Sequence, residues 1–429
     1  MKKLFELFYS CSEVNTDSRA ISPNSFYIAL KGERFNGNKF AKDAIEKGAK
    51  YAIVDEKDYA DNTTIFYVED GLVFLQQLAN YHRSKFSIPI IGITGSNGKT
   101  TTKELIANVL YQKYNILFTK GNLNNHIGVP LTLLNLKNTH DIAIIEMGAS
   151  KPGDIKELTD IAEPTHGIIT NIGKAHIEGF GSPEGVLKTK KELYDAIKQI
   201  GGTLFMNEDD SLLMDHVPTE IEYFSYGKSE KAYVVGELVK LAPNVHFIYK
   251  SKDYQSPILK TSIIGTYNFY NILSAICIGT YFEVPFEMIN KGITSYAPKN
   301  NRSQVEKTKS NTLILDAYNA NPTSVASALE SFALMEHDEK LFILGDMLEL
   351  GEISEEEHQL IIELTHKLKL NGVFVGPLFK KHEKEYENTM FFENKEAAAS
   401  FLSVAQPKSN LILLKGSRGI GLEALVEVL

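Results

Sequence analysis

The stretch "IIGITGSNGKTTTKELIANVL", residues 90–110, decides the fold class of this chain. It begins with an apolar run typical of a buried strand, continues through a turn with two glycines, and ends in helical sequence. A strand, a glycine-bearing loop and a helix in that order are typical of a parallel α/β sheet that binds phosphate. The predicted phosphate loop consists of Gly95, Ser96, Asn97, Gly98, Lys99, Thr100 and Thr101.

The chemistry of this loop explains why phosphate would bind there. Backbone amides and the helix N-terminus supply hydrogen-bond donors, Lys99 adds a mobile cation, and the Thr100 hydroxyl can reach a Mg²⁺ ion. The sequence departs from the strict eight-residue motif because Ile93 stands where the first glycine is expected. The alternative is a tight strand-to-helix turn without a ligand, but the order of the elements favours nucleotide binding.

The size and charge of the chain exclude several classes of protein. With 429 residues it is longer than one hydrophobic core usually supports. Its formal net charge of -9 argues against a non-specific nucleic-acid or anionic-membrane binder, because both rely on clustered Lys and Arg. No apolar stretch approaches the ~20 residues needed to span a bilayer, and Glu6 interrupts the apolar start before it could form a signal peptide. The charge and the short apolar stretches therefore predict no nucleic-acid partner and no membrane insertion. The two cysteines lie far apart, which favours the reducing cytoplasm.

We predict three α/β domains. Residues 1–87 contain short β-type runs around a helical stretch and form a small domain. Residues 88–298 alternate strands and helices as a central P-loop domain with a parallel sheet, which includes a strand-rich segment at about 221–263. Residues 299–429 give apolar runs that stop at turns and lead into helices, which predicts a Rossmann-like doubly wound domain.

The segment "SPEGVLKTKKELYDAI", residues 182–197, predicts a helix with one lysine on its core-facing side. The apolar stripe at helical spacing consists of Val186, Leu187, Leu193, Tyr194 and Ile197, and Lys190 lies inside it. The opposite face, predicted to be solvated, carries Lys188, Lys191, Glu192 and Asp195. Burying an ammonium without a partner is unfavourable or lowers its pKa. Two explanations are open: a neutral lysine, and a lysine in an ion pair with a partner that the sequence does not reveal.

Two further side chains are candidates for binding Mg²⁺. Glu146 follows the strand "DIAIIEMGAS" at the carboxyl end of the sheet, where ligands bind in open α/β folds. His176 stands in the loop "TNIGKAHIEGFGS", where a lone histidine is also explained as a hydrogen-bonded loop residue. With Thr100 and nucleotide phosphates, these donors suit Mg²⁺. A lysine facing such a site would repel the metal unless addition of CO₂ had converted its amine to an anion.

Seven motifs, in matching order and spacing, resemble the Mur ligase family. They are "TGSNGKTTTKE", "GNLNNHIGVPLTLL", "EMGAS", "AHIEGFGSPEGVLKTKKEL", "DAYNANP", "GDMLELG" and "KGSRG". The resemblance covers nearly the whole chain and is greatest to the member that joins D-alanyl-D-alanine to UDP-N-acetylmuramoyl-tripeptide. It implies an amide ligase of peptidoglycan precursor synthesis that uses ATP and Mg²⁺, has these two molecules as substrates, and proceeds through an acyl phosphate. We expect a monomer.

The resemblance also assigns catalytic and nucleotide-binding roles. It places Lys99 and Thr100 on the phosphates and a first Mg²⁺, and it places Glu146 and His176 on the metals. Lys190 matches a lysine that family members carry as a carbamate, which would make it a further metal ligand. An adenine contact matches Asn271, and contacts to ATP from the C-terminal domain match Arg302 and Asp316.

Substrate-facing residues follow from the same resemblance. The uridine nucleotide region of the N-terminal domain matches Ser18, Arg19, Lys31, Glu33 and Arg34. The loop "GNLNN" contributes Asn124 and Asn125, and the following His126 stands where aspartate is more common. The C-terminal domain contributes Tyr318, Asn319, Asn321, Lys415, Ser417 and Arg418. Because Arg302 and Asp316 lie in a different domain from Lys99, we expect the cleft to open and close.

Other functions fit parts of the sequence. The segment "GSRGIG" resembles a dehydrogenase dinucleotide loop, but the eight residues after Gly421 leave no room for a further strand. A sibling ligase that adds a single amino acid is the main enzymatic alternative. A folylpolyglutamate synthetase follows it, and the N-terminal domain argues against that enzyme. A nucleotide-dependent binding protein without turnover is the alternative from another class, and the complete set of candidate catalytic residues argues against it.

Overall fold

A computed structural model describes residues 1–299, 301–383 and 389–429. The first domain consists of α1 (Lys2–Phe8), β1 (Val14–Asn15), β2 (Phe26–Ile28), β3 (Lys31–Gly32), β4 (Phe35–Asn36), α2 (Ala41–Glu46), β5 (Tyr51–Val54), β6 (Ile65–Tyr67) and α3 (Gly71–Arg83). Its parallel sheet has the order β1–β2–β5–β6, and β3 and β4 form a separate antiparallel pair. Asp70 is the N-cap of helix α3, and its carboxylate accepts a hydrogen bond from Val73 N. The apolar face of α3 packs against both this sheet and the central domain.

The central domain contains the phosphate loop between its first strand and helix. Its elements are β7 (Ile90–Thr94), α4 (Lys99–Leu110), β8 (Ile116–Phe118), α5 (Gly128–Leu133), β9 (Ile142–Glu146), α6 (Asp154–Ala162), β10 (His166–Ile169), α7 (Ile177–Phe180), α8 (Pro183–Gln199), β11 (Thr203–Asn207), α9 (Ser211–Met214), β12 (Glu222–Gly227), β13 (Val234–Lys240), β14 (Asn244–Ser251), β15 (Tyr254–Gln255), β16 (Leu259–Ile264), α10 (Asn268–Tyr281) and α11 (Phe286–Thr294).

The central sheet brings the predicted functional loops to one edge. Its parallel part has the order β8–β9–β7–β10–β11–β12–β13, so β7 lies between β9 and β10. Ile93 near the end of β7 is in register with Glu146 at the end of β9. The chain leaves β7 toward β8 on one side and later crosses to β10 on the other, and ligands bind at such a reversal. The segment predicted to be rich in strands contains β12 to β16, and β14 pairs antiparallel with β13, β15 and β16.

Helix α8 confirms the inward position of Lys190. Ser182 caps the helix by accepting a hydrogen bond from Gly185 N, and Pro183 occupies the first turn, where its missing N–H costs nothing. Lys190 is 2% exposed. Three side chains differ from the prediction, and one of them is Lys191, which is half-buried although it was predicted to be solvated. Leu187 is only half-buried because it lies at the margin of the stripe. Glu192 is not simply solvated, because its carboxylate accepts hydrogen bonds from Gly153 N and Lys156 N at the start of α6.

The third domain is a second layered α/β unit. It consists of β17 (Gln304–Lys307), β18 (Thr312–Asp316), α12 (Pro322–Ala333), β19 (Lys340–Gly345), α13 (Ser354–Lys367), β20 (Gly372–Val375), α14 (Pro377–Lys380), β21 (Thr389–Phe392), α15 (Lys395–Ala405) and β22 (Leu411–Lys415). The sheet order is β17–β18–β22–β19–β20–β21, with only the β17–β18 pair antiparallel among the described strands. Apolar clusters cover both faces of the sheet.

Each of the three main sheets lies within one of the predicted domain ranges, and the boundaries at 87 and 298 stay predictions. Strand β22 is followed by short 3₁₀ segments, Arg418–Ile420 and Leu422–Val428, and not by the α-helix that a dehydrogenase dinucleotide loop requires. In the part of the chain that the structure describes, no helix combines the length and apolar character needed to cross a bilayer.

Candidate active site

A cleft of about 870 Å³ lies between the central and C-terminal domains. The phosphate loop, the ends of β9 and β10, and the N-terminal part of α10 form its central-domain side. The C-terminal domain contributes Arg302, Asp316, Tyr318, Asn319, Asn321 and Lys415. Residues predicted from three distant parts of the sequence therefore meet at one cleft.

The backbone of the phosphate loop is fixed by its glycines and by the loop after β10. Gly95 has φ +140°, and a Cβ at this position would collide with Thr170 Oγ1. The Thr170 hydroxyl donates to Asn97 O at 2.6 Å, and Asn171 Oδ1 accepts from Asn97 N at 3.0 Å. Lys99 Nζ donates to Gly95 O at 2.6 Å. Burial lowers the pKa of Lys99 to about 8, although Glu146 acts in the opposite direction.

Glu146 forms a buried polar cluster at the floor of the cleft. Its Oε1 accepts hydrogen bonds from Thr100 Oγ1 at 3.1 Å and from Asn124 Nδ2 at 2.8 Å. Its Oε2 lies 3.2 Å from Lys103 Nζ, and both side chains of this ion pair are 1% exposed. Burial alone would raise the pKa of Glu146, but Lys103 and Lys99 favour the charged form and hold the pKa below its usual value. Glu146 is therefore an ionised carboxylate beside the phosphate loop.

His176 lies at the N-terminus of α7 with a left-handed backbone, φ +54°. Its Nδ1 is in close contact with Glu349 Oε2 of the C-terminal domain. Burial lowers the pKa of His176, while the Glu349 carboxylate opposes this shift. The imidazole faces the cleft and is held by a residue from the other domain.

Lys190 is buried close to the cleft but does not line it. Its Nζ lies 5.4 Å from the centre of the Phe180 ring. Burial and the nearby charge of Lys99 hold its pKa well below the usual value, and Asp154 and Glu192 oppose the shift. Within the described ranges Lys190 forms no ion pair. This argues against the ion-paired alternative and leaves the neutral amine and the carbamate.

The C-terminal side of the cleft presents charged groups at the ends of adjacent strands. Asp316 ends β18 and Lys415 ends β22, in register with each other. Lys415 Nζ donates to Asp316 Oδ2 at 2.6 Å, and Asp316 Oδ1 accepts from Ser303 N at 3.1 Å. The Arg302 guanidinium stacks on the Tyr318 ring at 3.9 Å, and Arg418 approaches the same ring at 5.7 Å.

The remaining predicted C-terminal residues differ in their positions. Asn321 caps α12 and donates to Asn97 Oδ1 of the phosphate loop at 2.7 Å, which joins the two domains. Asn319 lines the cleft, and its side chain accepts from Ala320 N. Ser417, predicted to face substrate, is buried outside the cleft, where its hydroxyl accepts from Leu348 N at 2.9 Å. Arg418 is exposed beyond the cleft lining.

Asn271 lies behind the phosphate loop. Its Oδ1 accepts from Thr102 Oγ1 at 3.1 Å, and a Cβ on Gly98 would press against its amide. Tyr270 and Asp209, which the sequence did not single out, line the same end of the cleft and are joined by a 3.1 Å hydrogen bond. This end offers an aromatic ring and a carboxylate next to the phosphate loop.

The loop after β8 contributes a third wall. Asn124 reaches Glu146, whereas the Asn125 side chain accepts from Gly128 N at 2.9 Å and starts α5. His126 is exposed at the cleft, and its carbonyl accepts from Gln76 Nε2.

The N-terminal residues predicted to bind a uridine nucleotide do not line this cleft. Arg19 pairs with Asp17 at 2.7 Å on the surface, and Ser18 is buried beside it. Lys31 pairs with Asp55 at 3.0 Å. Glu33 and Arg34 form the exposed turn between β3 and β4. The structure therefore gathers these residues in the first domain, away from the phosphate loop.

The donors around Glu146 fit Mg²⁺ that is shared with a nucleotide. Glu146 Oε2 is buried and has the Lys103 ammonium 3.2 Å away, but it accepts no hydrogen bond from the described residues. Thr100 supplies a hydroxyl. No cluster of three or more His, Cys, Asp or Glu suited to a metal occurs among the described residues. Mg²⁺ typically takes one or two carboxylates and completes its shell with phosphates and water. The set is thus suited to a Mg²⁺–nucleotide complex and not to a protein-only metal cage.

Two residues that contact the predicted metal-binding side chains could not be identified from the sequence. Lys103 follows Lys99 by one helical turn, a spacing that places both on the same face of α4. Glu349 belongs to the quoted motif "GDMLELG", but only the tertiary structure brings it to His176.

Comparison with known proteins gives three family matches in the order of the domains. Residues 11–83 match the Mur ligase family catalytic domain, residues 93–279 the Mur ligase middle domain, and residues 301–418 the Mur ligase glutamate ligase domain.

Relatives and solved structures match along the whole chain. The UDP-N-acetylmuramoyl-tripeptide–D-alanyl-D-alanine ligase of Bacillus subtilis is 34% identical over 426 residues, which cover 96% of this chain and 92% of that protein. The crystal structure of MurF from Acinetobacter baumannii superposes with a TM-score of 0.89 at 29% identity, covering 99% of this chain and 97% of that one. The MurF ligase of Thermotoga maritima in complex with ADP gives 0.87 at 28% identity, with 100% and 98% covered. The predicted family and fold class are confirmed: the chain belongs to the Mur ligase family.

Proposed function

We propose that this chain is an ATP-dependent amide ligase that joins D-alanyl-D-alanine to UDP-N-acetylmuramoyl-tripeptide in peptidoglycan precursor synthesis. The observation that carries the proposal is the cleft in which Lys99, Thr100 and Glu146 face Arg302 and Asp316 of another domain. The similarity to ligases of this name over almost the full length supports the choice of substrates.

The chemistry requires activation of a carboxylate. An oxygen of the tripeptide carboxylate attacks the γ-phosphorus of ATP, the bond to the β-phosphate oxygen breaks, and ADP leaves. The free amine of the dipeptide then attacks the acyl carbon and loses a proton. The tetrahedral intermediate collapses, the C–O bond breaks, and inorganic phosphate leaves with the original carboxylate oxygen. Negative charge accumulates at both steps, and preorganised cations lower both barriers.

The side chains of the cleft suit these steps. Lys99 would bind the phosphates from the loop, and Arg302 would approach ATP from the opposite wall. Bound Mg²⁺ would neutralise charge on the phosphate and acyl phosphate oxygens. Thr100 and Glu146 would hold the Mg²⁺ ion, and His176 would bind it from the side that faces the C-terminal domain. Asn124, oriented by Glu146, faces the space where the carboxylate substrate would lie.

Lys190 acts, in this proposal, as a carbamate. Its low pKa favours the neutral amine. The amine nitrogen would bond to the carbon of CO₂ and release one proton to solvent, and Mg²⁺ and Lys99 would stabilise the carbamate anion that results. The carbamate of this buried lysine, which has no ion-pair partner in the described ranges, would supply an additional oxygen ligand.

The other predicted contacts complete the proposal. The first domain, residues 1–87, would bind the uridine nucleotide through Ser18, Arg19, Lys31, Glu33 and Arg34. Residues 88–298 would bind ATP, with Asn271 near the adenine, and residues 299–429 would bind the dipeptide. The dipeptide contacts would come from Tyr318, Asn319, Asn321 and Lys415, with the exposed Arg418 at the edge. The protein would act as a cytoplasmic monomer.

An end-point assay tests the function. The protein is incubated with ATP, Mg²⁺, UDP-N-acetylmuramoyl-tripeptide and either D-alanyl-D-alanine or single amino acids, and the product mass is followed. We expect a product whose mass exceeds that of the tripeptide substrate by one D-alanyl-D-alanine minus one water, with one ADP released per product. A product that gains a single amino acid would establish the sibling activity, and nucleotide binding without any product would establish the non-catalytic alternative.

A further inference from the structure

We infer that Glu349 is a positioning residue for His176, supplied by the C-terminal domain to complete the metal site of the central domain. The inference rests on the proposed function, because it takes His176 to be a Mg²⁺ ligand. It adds a residue that acts from outside the central domain and that makes Mg²⁺ binding depend on domain docking.

The loop that carries Glu349 is held by buried contacts of the residues that precede it. Asp346 is fully buried and accepts hydrogen bonds from Leu378 N and Phe379 N, both at 2.9 Å. Met347 N donates to Nε2 of the buried His358 at 3.1 Å. Leu348 N donates to Ser417 Oγ at 2.9 Å. The three residues before Glu349 therefore have fixed backbone positions.

Glu349 itself reaches across the cleft. It has φ +63°, a left-handed conformation that turns the loop toward α7 of the central domain. Its backbone oxygen accepts from Glu178 N at 3.2 Å, and its Oε2 contacts His176 Nδ1. Gly351, with φ +56°, packs close to the Glu178 backbone. Both the main chain and the carboxylate of this residue thus meet the His176 segment.

The chemistry of imidazole gives this contact a role. A carboxylate at Nδ1 favours the tautomer that carries the proton there, which leaves the Nε2 lone pair free for a metal. The carboxylate also fixes the ring orientation and makes the free nitrogen more basic. The Phe180 ring lies edge-on to the imidazole, with the ring centres 6.4 Å apart.

Docking does not depend on Glu349 alone. Lys174 Nζ pairs with Glu357 Oε1 at 2.5 Å, and Asn321 donates to Asn97 Oδ1 at 2.7 Å. A variant at Glu349 therefore leaves other contacts between the domains in place. Because the Glu349 side chain is 59% exposed, we expect a loss near the lower end of the range for carboxylates that orient metal-binding histidines, about tenfold in Mg²⁺ affinity.

The test measures how strongly Mg²⁺ enhances binding of β,γ-methylene-ATP, a non-hydrolysable analogue. Calorimetry gives the Kd of the analogue with excess EDTA and with saturating Mg²⁺, and the ratio of the two values is the Mg²⁺ enhancement. The variants are Glu349→Ala, Glu349→Gln, His176→Ala and the double variant His176→Ala/Glu349→Ala. The control is Glu352→Gln, an exposed carboxylate in the same loop with no ion pair among the described residues. Turnover as a function of Mg²⁺ concentration is a second readout.

The inference predicts that Glu349→Ala lowers the enhancement about tenfold and raises the Mg²⁺ concentration for half-maximal turnover, with a smaller change in kcat. Glu349→Gln, which still accepts a hydrogen bond, loses less, and Glu352→Gln matches the parent protein. The double variant is no worse than His176→Ala, because Glu349 acts only through His176.

Three results would overturn the inference. If Glu349→Ala retains the full enhancement while His176→Ala loses it, the metal role of His176 stands and the positioning role of Glu349 fails. If the two losses multiply in the double variant, Glu349 acts by another route. If His176→Ala itself retains the enhancement, the proposed metal role of His176 and the inference both fail. The ligase function is judged separately, by whether the parent protein forms the amide product.

Discussion

Replacing Lys103 with methionine tests the buried ion pair under the cleft. Lys103 and Glu146 are 1% exposed and 3.2 Å apart, so the substitution leaves a carboxylate in the core without its cation. Removing one partner of a buried pair typically costs 3–5 kcal/mol. Glu146 keeps its hydrogen bonds from Thr100 and Asn124 and the nearby charge of Lys99. We therefore expect the free energy of unfolding to fall by about 3 kcal/mol, at the lower end of that range.

Urea unfolding measures this loss. The chain has no tryptophan, so circular dichroism at 222 nm and tyrosine fluorescence follow the transition, and coincidence of the two signals checks for two-state behaviour. Lys188→Met on the exposed face of α8 is the matched control and should change stability by less than about 0.5 kcal/mol.

A second substitution separates the ion pair from simple loss of packing. In Lys103→Met/Glu146→Gln no charge remains buried, so we expect the double variant to regain most of the stability. Two results would refute the reasoning: a Lys103→Met variant as stable as the parent, or a double variant whose loss is the sum of the single losses.

Three further substitutions test other parts of the structure. Gly95→Ala should abolish nucleotide binding in calorimetry, because the new methyl collides with Thr170, whereas Gly201→Ala, at a position with open space and φ +64°, should leave binding unchanged. Burial lowers the pKa of His358 from 6.5 to about 4, so the unfolded chain binds more protons than the folded one between these values. Its stabilising contribution is complete above about pH 6.5 and falls by about 3 kcal/mol as the pH drops to 4. In urea titrations His358→Asn should reduce the loss of unfolding free energy between pH 6.5 and 4. An unchanged loss would contradict a buried, neutral His358. Lys190→Ala should lose ligase activity that added short-chain carboxylates partly restore, and full activity without them would rule out a carbamate.

Local pattern predicted much of the fold and the phosphate-binding half of the site. The loop at Gly95 to Thr101 was evident because strand, turn and helix lie in one continuous segment. The burial of Lys190 followed from helical spacing alone, since a helix fixes which side chains share a face. Leu187 deviated because it lies at the margin of the apolar stripe. Glu192 deviated because its carboxylate accepts a hydrogen bond from Gly153 N at the start of α6.

Long-range contacts set the rest of the site. Lys103 and Glu146 lie on different elements, 43 positions apart, and their pairing depends on how α4 packs over β9. The meeting of His176 and Glu349 depends on the docking of two domains, which no periodicity encodes. Ser417 matches a family motif, yet its hydroxyl holds the loop before Glu349, so motif membership did not reveal whether it faces substrate or structure.

The most direct test of the proposed mechanism follows a carboxylate oxygen. UDP-N-acetylmuramoyl-tripeptide labelled with ¹⁸O in its terminal carboxylate is incubated with the protein, Mg²⁺, ATP and D-alanyl-D-alanine, and the released phosphate is analysed by mass spectrometry. Because the carboxylate oxygen bonds to the transferred phosphoryl group, each amide bond formed should deliver one ¹⁸O atom to phosphate. Amide product accompanied by unlabelled phosphate would contradict the acyl phosphate route.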